Sequence, residues 1–274
     1  MRFSPGSGPF RKAFLRSGPL RDDVPALLGL LPPVAVLAGQ DPWLGPRLLL
    51  CLGVVCGWHL LFHRLRGQAS ALHALTSAVL IALLVPQGAP HWQIVLGASF
   101  GVVLGELIFG GRGRNFVQPV VLALAFLAFS FADQPWREGV AIPALLALPG
   151  AVLLVLAGQA RLSVLAGALA GFFGMVWLAG LSGLPDPAGA GALLIALAWL
   201  VADPVVSGRT RGGRLAYGLV AGGLAALFST AGPLFGALVF AALLAQIFAP
   251  LIDHVVLSLH VRRAMRRERR LRHG

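Results

Sequence analysis

The sequence predicts an all-α polytopic membrane protein with about ten transmembrane helices, arranged as two inverted five-helix repeats with both termini in the cytoplasm. Three observations lead there. Hydrophobic residues make up 57% of the 274 positions and charged residues only 12%, with a mean hydropathy of +0.83; a soluble domain of this length carries roughly twice that share of charge. The apolar residues also fall in long blocks rather than in a period-2 or amphipathic pattern, the signature of repeated membrane spans. Finally, the basic residues alternate from one side to the other in a way that a miscount of spans would scramble.

The blocks run 24–39, 44–62, 69–86, 91–109, 116–132, 139–158, 162–181, 188–203, 215–231 and 233–252. Several are near the short end of what a bilayer about 30 Å thick requires. With the N-terminus inside, the cytoplasmic segments are 1–23, HRLRGQ, GGRGRN, GQAR, SGRTRGGR and the C-terminal tail, and of the 22 Lys and Arg residues only Arg47 and Arg137 fall outside them. The opposite side holds those two beside Asp41, Asp133, Glu138 and Asp186. Residues 1–23 are basic and rich in Pro, Gly and Ser, with no apolar stretch of signal-peptide length, and read as a cytoplasmic tail. Residues 24–253 form the membrane domain, with halves 24–133 and 139–253. Residues 254–274 form a second basic tail whose seven arginines suit anionic lipid headgroups. The net charge of +12 therefore sits in loops and tails and does not point to nucleic acid.

Spans three and eight echo each other: SAVLIALLVP (77–86) and GALLIALAWL (191–200). The intervening number of spans sets them in opposite directions, as in inverted-repeat proteins that build a central site near the membrane midplane. Cys51 and Cys56 lie about 140° apart on a helix and read as small apolar residues. His59 and His63 share a helix face, and His59 with His73 could in principle hold a haem between two imidazoles, although no second pair of that kind is evident.

Within apolar surroundings, Glu106, Asp203 and Asp253 are the acids that need an account. Glu106 stands one turn before GGRGRN, with an ion pair to Arg112 or Arg114, or a proton or cation role, as the readings. Asp203 precedes Pro204 and faces Arg209, Arg211 and Arg214 along the sequence as ion-pair candidates; Asp253 reads as a boundary residue. The stretch FGGRGRNFVQPVV (109–121) carries most of the remaining polarity. Gly110, Gly111 and Gly113 permit positive φ, and successive amides before a helix N-terminus form an anion-binding concavity. Arg112 and Arg114 add positive charge, Asn115 and Gln118 add amide groups directed into the bundle, and Pro119 fits the first turn of the next helix. The stretch is neither a Walker loop nor a dinucleotide fingerprint.

FGGRGRNFVQPVV resembles the FGGxGxNxFNPAx motif of the NqrB/RnfD family, large membrane subunits of the sodium-pumping NADH:quinone reductase and of the Rnf electron-transfer complex. Asn115 stands at the motif's first asparagine, Gln118 replaces its second and Pro119 matches its proline. SAVLIALLVP is similar to the family's TGLLLALLLP, residues 201–228 resemble its ATDPV…GRxxYGxxxG pattern, and QIFAPLID (246–253) resembles its NxxxPLID ending.

The resemblance implies ten spans in two inverted halves and a non-catalytic subunit of an oxidoreductase complex in a bacterial inner membrane. Such a subunit relays electrons between flavin- or iron–sulfur-carrying partners, with ion movement as a further property. It also implies a non-covalent flavin, FMN or riboflavin, near Gly110–Pro119 and Asp203–Pro204, with quinone as an alternative. Two departures stand out. None of the three threonines, Thr76, Thr210 and Thr230, occupies the family's covalent-FMN context, and Glu106 replaces a lysine that family members usually carry before the FGG. A solute or ion channel on the same scaffold, or an anchor for a peripheral redox protein, are the rival readings.

Overall fold

The computed structural model describes residues 23–66, 73–86, 88–131, 136, 140–180 and 190–273, the last stretch as backbone alone at 260 and 262–273. The N-terminal tail up to residue 22 and the outer-side charges Asp133, Arg137, Glu138 and Asp186 lie outside the described residues, as do the side chains of the tail arginines. All regular structure among the described residues is helical. In chain order the helices are α1 (Val24–Gln40), α2 (Leu44–Arg66), α3 (His73–Leu84), α4 (His91–Val102), α5 (Pro119–Ser130), α6 (Ala144–Ala157), α7 (Leu162–Ala179), α8 (Ala190–Ile195), α9 (Arg211–Phe228) and α10 (Leu234–His273). Two of them widen into a π-helical turn at their C-terminal ends, α4 over Val103–Leu107 and α8 over Ala196–Val201. Each π turn delivers the chain into one of the two polar loops singled out above.

Three helical stretches are long and apolar enough to cross a membrane: Leu44–Arg66, Leu162–Ala179 and Leu234–Leu259. Five more are apolar but shorter. The apolar block at 69–86 yields only the 12 residues of α3, and the block at 116–132 only the 12 of α5. At 1.5 Å per residue each covers about 18 Å, well short of a bilayer core. Both are interior elements: nearly all of α3 is buried, whereas the long α2 and α7 lie at the periphery with 17% of their apolar windows buried. Apolar composition is the same whether a helix faces lipid or other helices, so length and burial separate what hydropathy merges.

The helix contacts follow a pattern. In the first half α2 packs on α3 and α4, α4 on α5, and α3 on α1 and α5; in the second half α7 packs on α8 and α9, α9 on α10, and α8 on α6 and α10. Advancing each helix by five turns one set into the other. Two pairs, α1 with α6 and α5 with α10, join the halves. At the first of these, Gly29 and Gly150 meet backbone to backbone beneath the indole of Trp199, whose Nε1 donates to the Ala26 carbonyl at 3.1 Å. A side chain larger than hydrogen at either glycine would part the two helices. In the first half, Trp58 Nε1 donates to Ser99 Oγ at 2.9 Å and ties α2 to α4.

Candidate functional site

The chain leaves the π turn of α4 through Gly110, Gly111 and Gly113, at φ of 104°, 93° and 92°, values that only glycine adopts without strain. The amides of this turn do not stand free for a ligand. Gly110 N–H donates to Leu107 C=O, Gly111 to Glu106 C=O and Arg114 to Gly111 C=O, each at 3.2 Å. Gly113 N–H donates to Asn115 Oδ1 at 3.1 Å, and Asn115 Nδ2 donates to the Val117 carbonyl at 3.1 Å. The Asn115 amide thus closes its own turn instead of facing a ring in the bundle. Gln118 is likewise committed: its Oε1 accepts from Val121 N–H at 2.9 Å and caps α5, with Pro119 in the first turn as the sequence required. Arg114 folds back over Gly110. The anion-binding concavity expected here is filled by the loop's own acceptors.

Arg112 points the other way, into a group of buried charges. Its Nη2 lies 3.6 Å from Asp23 Oδ1 and its Nη1 3.9 Å from Asp203 Oδ2. Nη1 also meets the His73 ring, with Nε2 at 3.0 Å and Nδ1 closer. The same Nε2 also faces Glu106 Oε2 at 3.6 Å and Ser77 Oγ at 3.4 Å. Asp23, His73, Glu106 and Asp203 are all buried, while Arg112 keeps a quarter of its side chain exposed. The five groups come from the start of α1, from α3, from the π turn of α4, from the glycine loop and from the loop following α8, so both halves of the chain contribute.

This geometry corrects the expected pairing of Asp203. Asp203 does not pair with the arginines of its own loop: its second carboxylate oxygen accepts from Val205 N–H at 2.9 Å, and its charge partner is Arg112. Arg214 donates to the carbonyls of Gly208 and Arg209, both at 3.0 Å, which turns it onto its own loop. Arg209 is held by its main chain, the N–H donating to Asp253 Oδ2 at 2.6 Å. Thr210 caps α9 by accepting from Gly213 N–H at 2.9 Å and donates its hydroxyl to Asp253 Oδ1 at 3.0 Å. Asp253, read from sequence as a boundary residue, therefore clamps the entry of α9 onto α10. Of the two arginines expected beside Glu106 it is Arg112, and not Arg114, that acts on it, by its charge and through its main-chain N–H, while Oε2 faces His73.

Residues that sequence reasoning passed over do much of the holding. Asp23 lay at the edge of the basic tail, and His73 was weighed only as a haem ligand. Gln246, fully buried in α10, accepts from Gln118 N–H at 2.9 Å and donates to Leu200 C=O at 3.0 Å. A lone amide in the run AALLAQIFAP was the available signal, since a buried polar group demands partners. His59 Nε2 is buried without a hydrogen-bond partner, and among the described residues no three His, Cys, Asp or Glu side chains are placed to hold a metal ion. Cys51 and Cys56 are free thiols.

A flavin makes two demands that can be checked against these residues: donors for the ring carbonyls or phosphate, and space. The main-chain N–H groups of Gly110, Gly111, Gly113 and Arg114 are engaged within the loop. A cavity of about 270 Å³ among α6–α10, lined by residues such as Leu169, Phe172, Leu193, Leu197 and Leu238, has walls of hydrocarbon and offers no donor. The residues present do not fit a flavin held at the glycine loop by its main-chain amides.

The family model described as NQR2, RnfD, RnfE matches residues 27–140 and 137–261. Among curated relatives, the NqrB subunit of the Na⁺-translocating NADH-quinone reductase of Chromohalobacter salexigens is 26% identical over 284 residues, covering 81% of this chain and 67% of its own length. The Pseudomonas aeruginosa protein of the same description is 28% identical over 265 residues, covering 77% and 66%, and that of Haemophilus influenzae is 26% identical over 277 residues, covering 80% and 67%. The chain thus spans about two thirds of the length of these relatives. With the family match running through both halves and both polar loops, this membrane-embedded chain belongs to the NQR2, RnfD, RnfE family.

Proposed function

We propose that this chain is the multi-pass membrane subunit of an NqrB/RnfD-type electron-transfer complex in a bacterial inner membrane. It works with partner subunits that carry flavin or iron–sulfur groups, and the Arg112 cluster is where ion movement is coupled. Family membership supports the complex, since the relatives are subunits of a redox-driven Na⁺-translocating enzyme. The observation that carries the site is the buried meeting of Arg112 with Asp23, His73 and Asp203. Ionisable groups held inside a membrane bundle at the junction of two halves mark ion pathways more often than packing. The five-step correspondence of helix contacts supports two repeated halves of five helices, and the placement of the basic residues supports both termini cytoplasmic. On that topology the cluster lies at the cytoplasmic end, and the basic tails lie where anionic lipids attract them.

In this reading the glycine loop is a latch. Its internal hydrogen bonds fix the backbone so that Arg112 can reach across to Asp203, and the π turns of α4 and α8 bring the two loops together. Electron carriage then belongs to groups on partner subunits or at their junctions with this chain. The test is to tag the chain in its own host, solubilise the membranes gently and analyse what purifies with it. Flavin- or cluster-carrying subunits in the same particle, together with loss of the membranes' NADH- or ferredoxin-driven electron transfer on deletion, are the expected results. A chain that purifies alone, and whose deletion leaves those activities intact, removes the proposal in favour of a channel or an anchor.

A further inference from the structure

The hydrocarbon-walled cavity among α6–α10 plays no part in the function proposed above. It reaches from Ala144, Ala190 and Leu234, which open α6, α8 and α10, to Leu197 in the π turn of α8. Ala190 begins α8 and Asp203 follows its far end, so the cavity lies on the side of the bundle away from the Arg112 cluster. From Ala190 to Leu197 the helix rises about 10 Å, most of the ~15 Å that one leaflet contributes to the hydrocarbon core. The cavity is partly open, and the α7 wall carries Leu169 and Phe173, both about half exposed. Because α7 is long enough to cross a membrane and mostly peripheral, those side chains and the opening beside them face bilayer hydrocarbon.

The space follows from the sequence. The echo between α3 and α8 sets Leu194 where Leu80 stands and Leu197 where Leu83 stands. Leu80 and Leu83 are buried, whereas Leu194 and Leu197 are partly exposed and line the cavity. Facing them are Ala168, Gly222 and Ala225, which contribute one side-chain carbon or none. The helices cannot close the gap, because Gly222 of α9 already meets the Ala168 backbone of α7. Protein interiors leave few voids larger than a water molecule, yet this one measures about 270 Å³. An apolar cavity of ~150 Å³ stays dry and takes up benzene, and walls left without a neighbour lose their dispersion contacts. In a membrane the concentrated apolar species beside the opening is the lipid acyl chain.

We propose that this cavity seats one acyl chain of a bilayer phospholipid, drawn from the leaflet remote from the Arg112 cluster. Its walls recognise hydrocarbon alone, so the seat takes the chain whatever headgroup it carries. A quinone head, with its carbonyl oxygens, finds no donor there. The seated chain supplies the contacts that Ala168, Gly222 and Ala225 are too small to make, and so completes the packing of the second half. Electron transfer is not required for any of this; a membrane-embedded chain suffices.

The experiment places the purified full chain in phosphatidylcholine nanodiscs containing a trace of the same lipid with a diazirine midway along one acyl chain. After irradiation, mass spectrometry of the digested chain locates the label. No residue of α8 and its π turn, Ala190–Val201, is fully exposed, so lipid at the bundle surface labels Leu169 and Phe173 but not this helix. Label on Leu193, Leu194 or Leu197 is therefore expected, retained when phosphatidylglycerol replaces phosphatidylcholine, and lost in Ala190→Phe, which fills the end of the cavity. Should Ala190→Phe fail to fold, the parent decides alone: label confined to α7, with none on α8, overturns the proposal. An α8 label that a few equivalents of ubiquinone displace also overturns it, as does one unchanged in a folded Ala190→Phe. None of these results touches the electron-transfer assignment, which co-purification and membrane activity decide separately.

Discussion

The side-chain oxygen of Gln246 accepts the main-chain N–H of Gln118 at 2.9 Å, across 128 residues of sequence. The amide nitrogen of the same side chain donates to Leu200 C=O in the π turn of α8. One buried amide thus joins the start of α5, the end of α8 and the middle of α10, beside the loops that build the charge cluster. Replacing it by leucine of similar size strands a buried N–H and a buried C=O, at about 1–3 kcal/mol for each unsatisfied group. Gln246→Leu should lower the thermal unfolding temperature of the detergent-solubilised chain, and Gln246→Glu should lower it as well, because an ionised carboxylate there is buried without a cation and faces the Leu200 carbonyl oxygen. Equal stability of Gln246→Leu and the parent would show that the staple contributes nothing.

A second buried link lies at the start of α2. Arg47 Nη2 meets Asp41 Oδ2 at 2.8 Å with both side chains under 5% exposed, and Arg47 Nη1 reaches the Pro86 carbonyl at 3.3 Å. The pair ties the α1–α2 turn to the end of α3. Removing one partner of a buried pair costs about 3–5 kcal/mol, while removing both with apolar replacements is often close to neutral. Arg47→Met should therefore destabilise strongly, and Arg47→Met/Asp41→Leu should recover much of the loss in the same unfolding assay. A double variant as unstable as the single one would mean that the Arg47 stem, and not its charge, matters.

Which of these features could be read from sequence follows from what sequence encodes. Apolar blocks locate helices because burial in lipid and burial in a bundle both demand them, so each described helix overlaps an expected block, although α10 continues to His273, well past the block that ends at 252 and through the stretch read as a tail. That same ambiguity hid the shortness of α3 and α5. The positive φ at Gly110, Gly111 and Gly113 was legible because no other residue tolerates it cheaply. The fate of Asn115 and Gln118 was not, because an amide closing a turn and an amide facing a ligand look alike in one dimension. Asp203 was assigned the nearest arginines in sequence. Its partner, Arg112, lies 91 positions earlier and reaches it only through two π turns, which leave no recognisable mark in the sequence.

The Arg112–Asp203 contact itself is open to a double-mutant cycle. Arg112→Met leaves Asp23 and Asp203 without their common cation. Because Arg112 is about a quarter exposed, solvent softens the penalty, and a loss of about 1–3 kcal/mol is expected, below that of a fully buried pair. Asp203→Asn should lose less, since its Oδ1 can still accept from Val205 N–H. Combined with Arg112→Met, it should restore part of the stability by removing the uncompensated charge. Strict additivity of the two substitutions in unfolding free energy would show that the guanidinium and the carboxylate act independently.

Helices α7 and α9 offer the sharpest packing test. Their contact is glycine against backbone on both sides: a Cβ at Gly171 would strike the Leu219 carbonyl oxygen, and one at Gly218 that of Val164. A Cβ at Gly222 would strike the carbonyl oxygen of Ala168, with its carbonyl carbon 2.7 Å and its Cα 2.9 Å away. These neighbours are backbone atoms inside a helix and cannot rotate aside, so an added methyl must push the helices apart. In a membrane, where close van der Waals approach of small residues replaces the hydrophobic drive between helices, that separation sacrifices the contact along its whole length. Gly222→Ala should cost about 1–3 kcal/mol as overpacking does in a tight core, and Gly222→Leu should prevent a stable fold. On the same helix α7, Gly174 has nothing within 4 Å of its Cβ position, so Gly174→Ala should be neutral or slightly stabilising through helix propensity. Denaturant titration of the three variants in one detergent separates the cases. Similar losses for Gly174→Ala and Gly222→Ala would mean that general helix properties, and not this close crossing, set the stability of the second half.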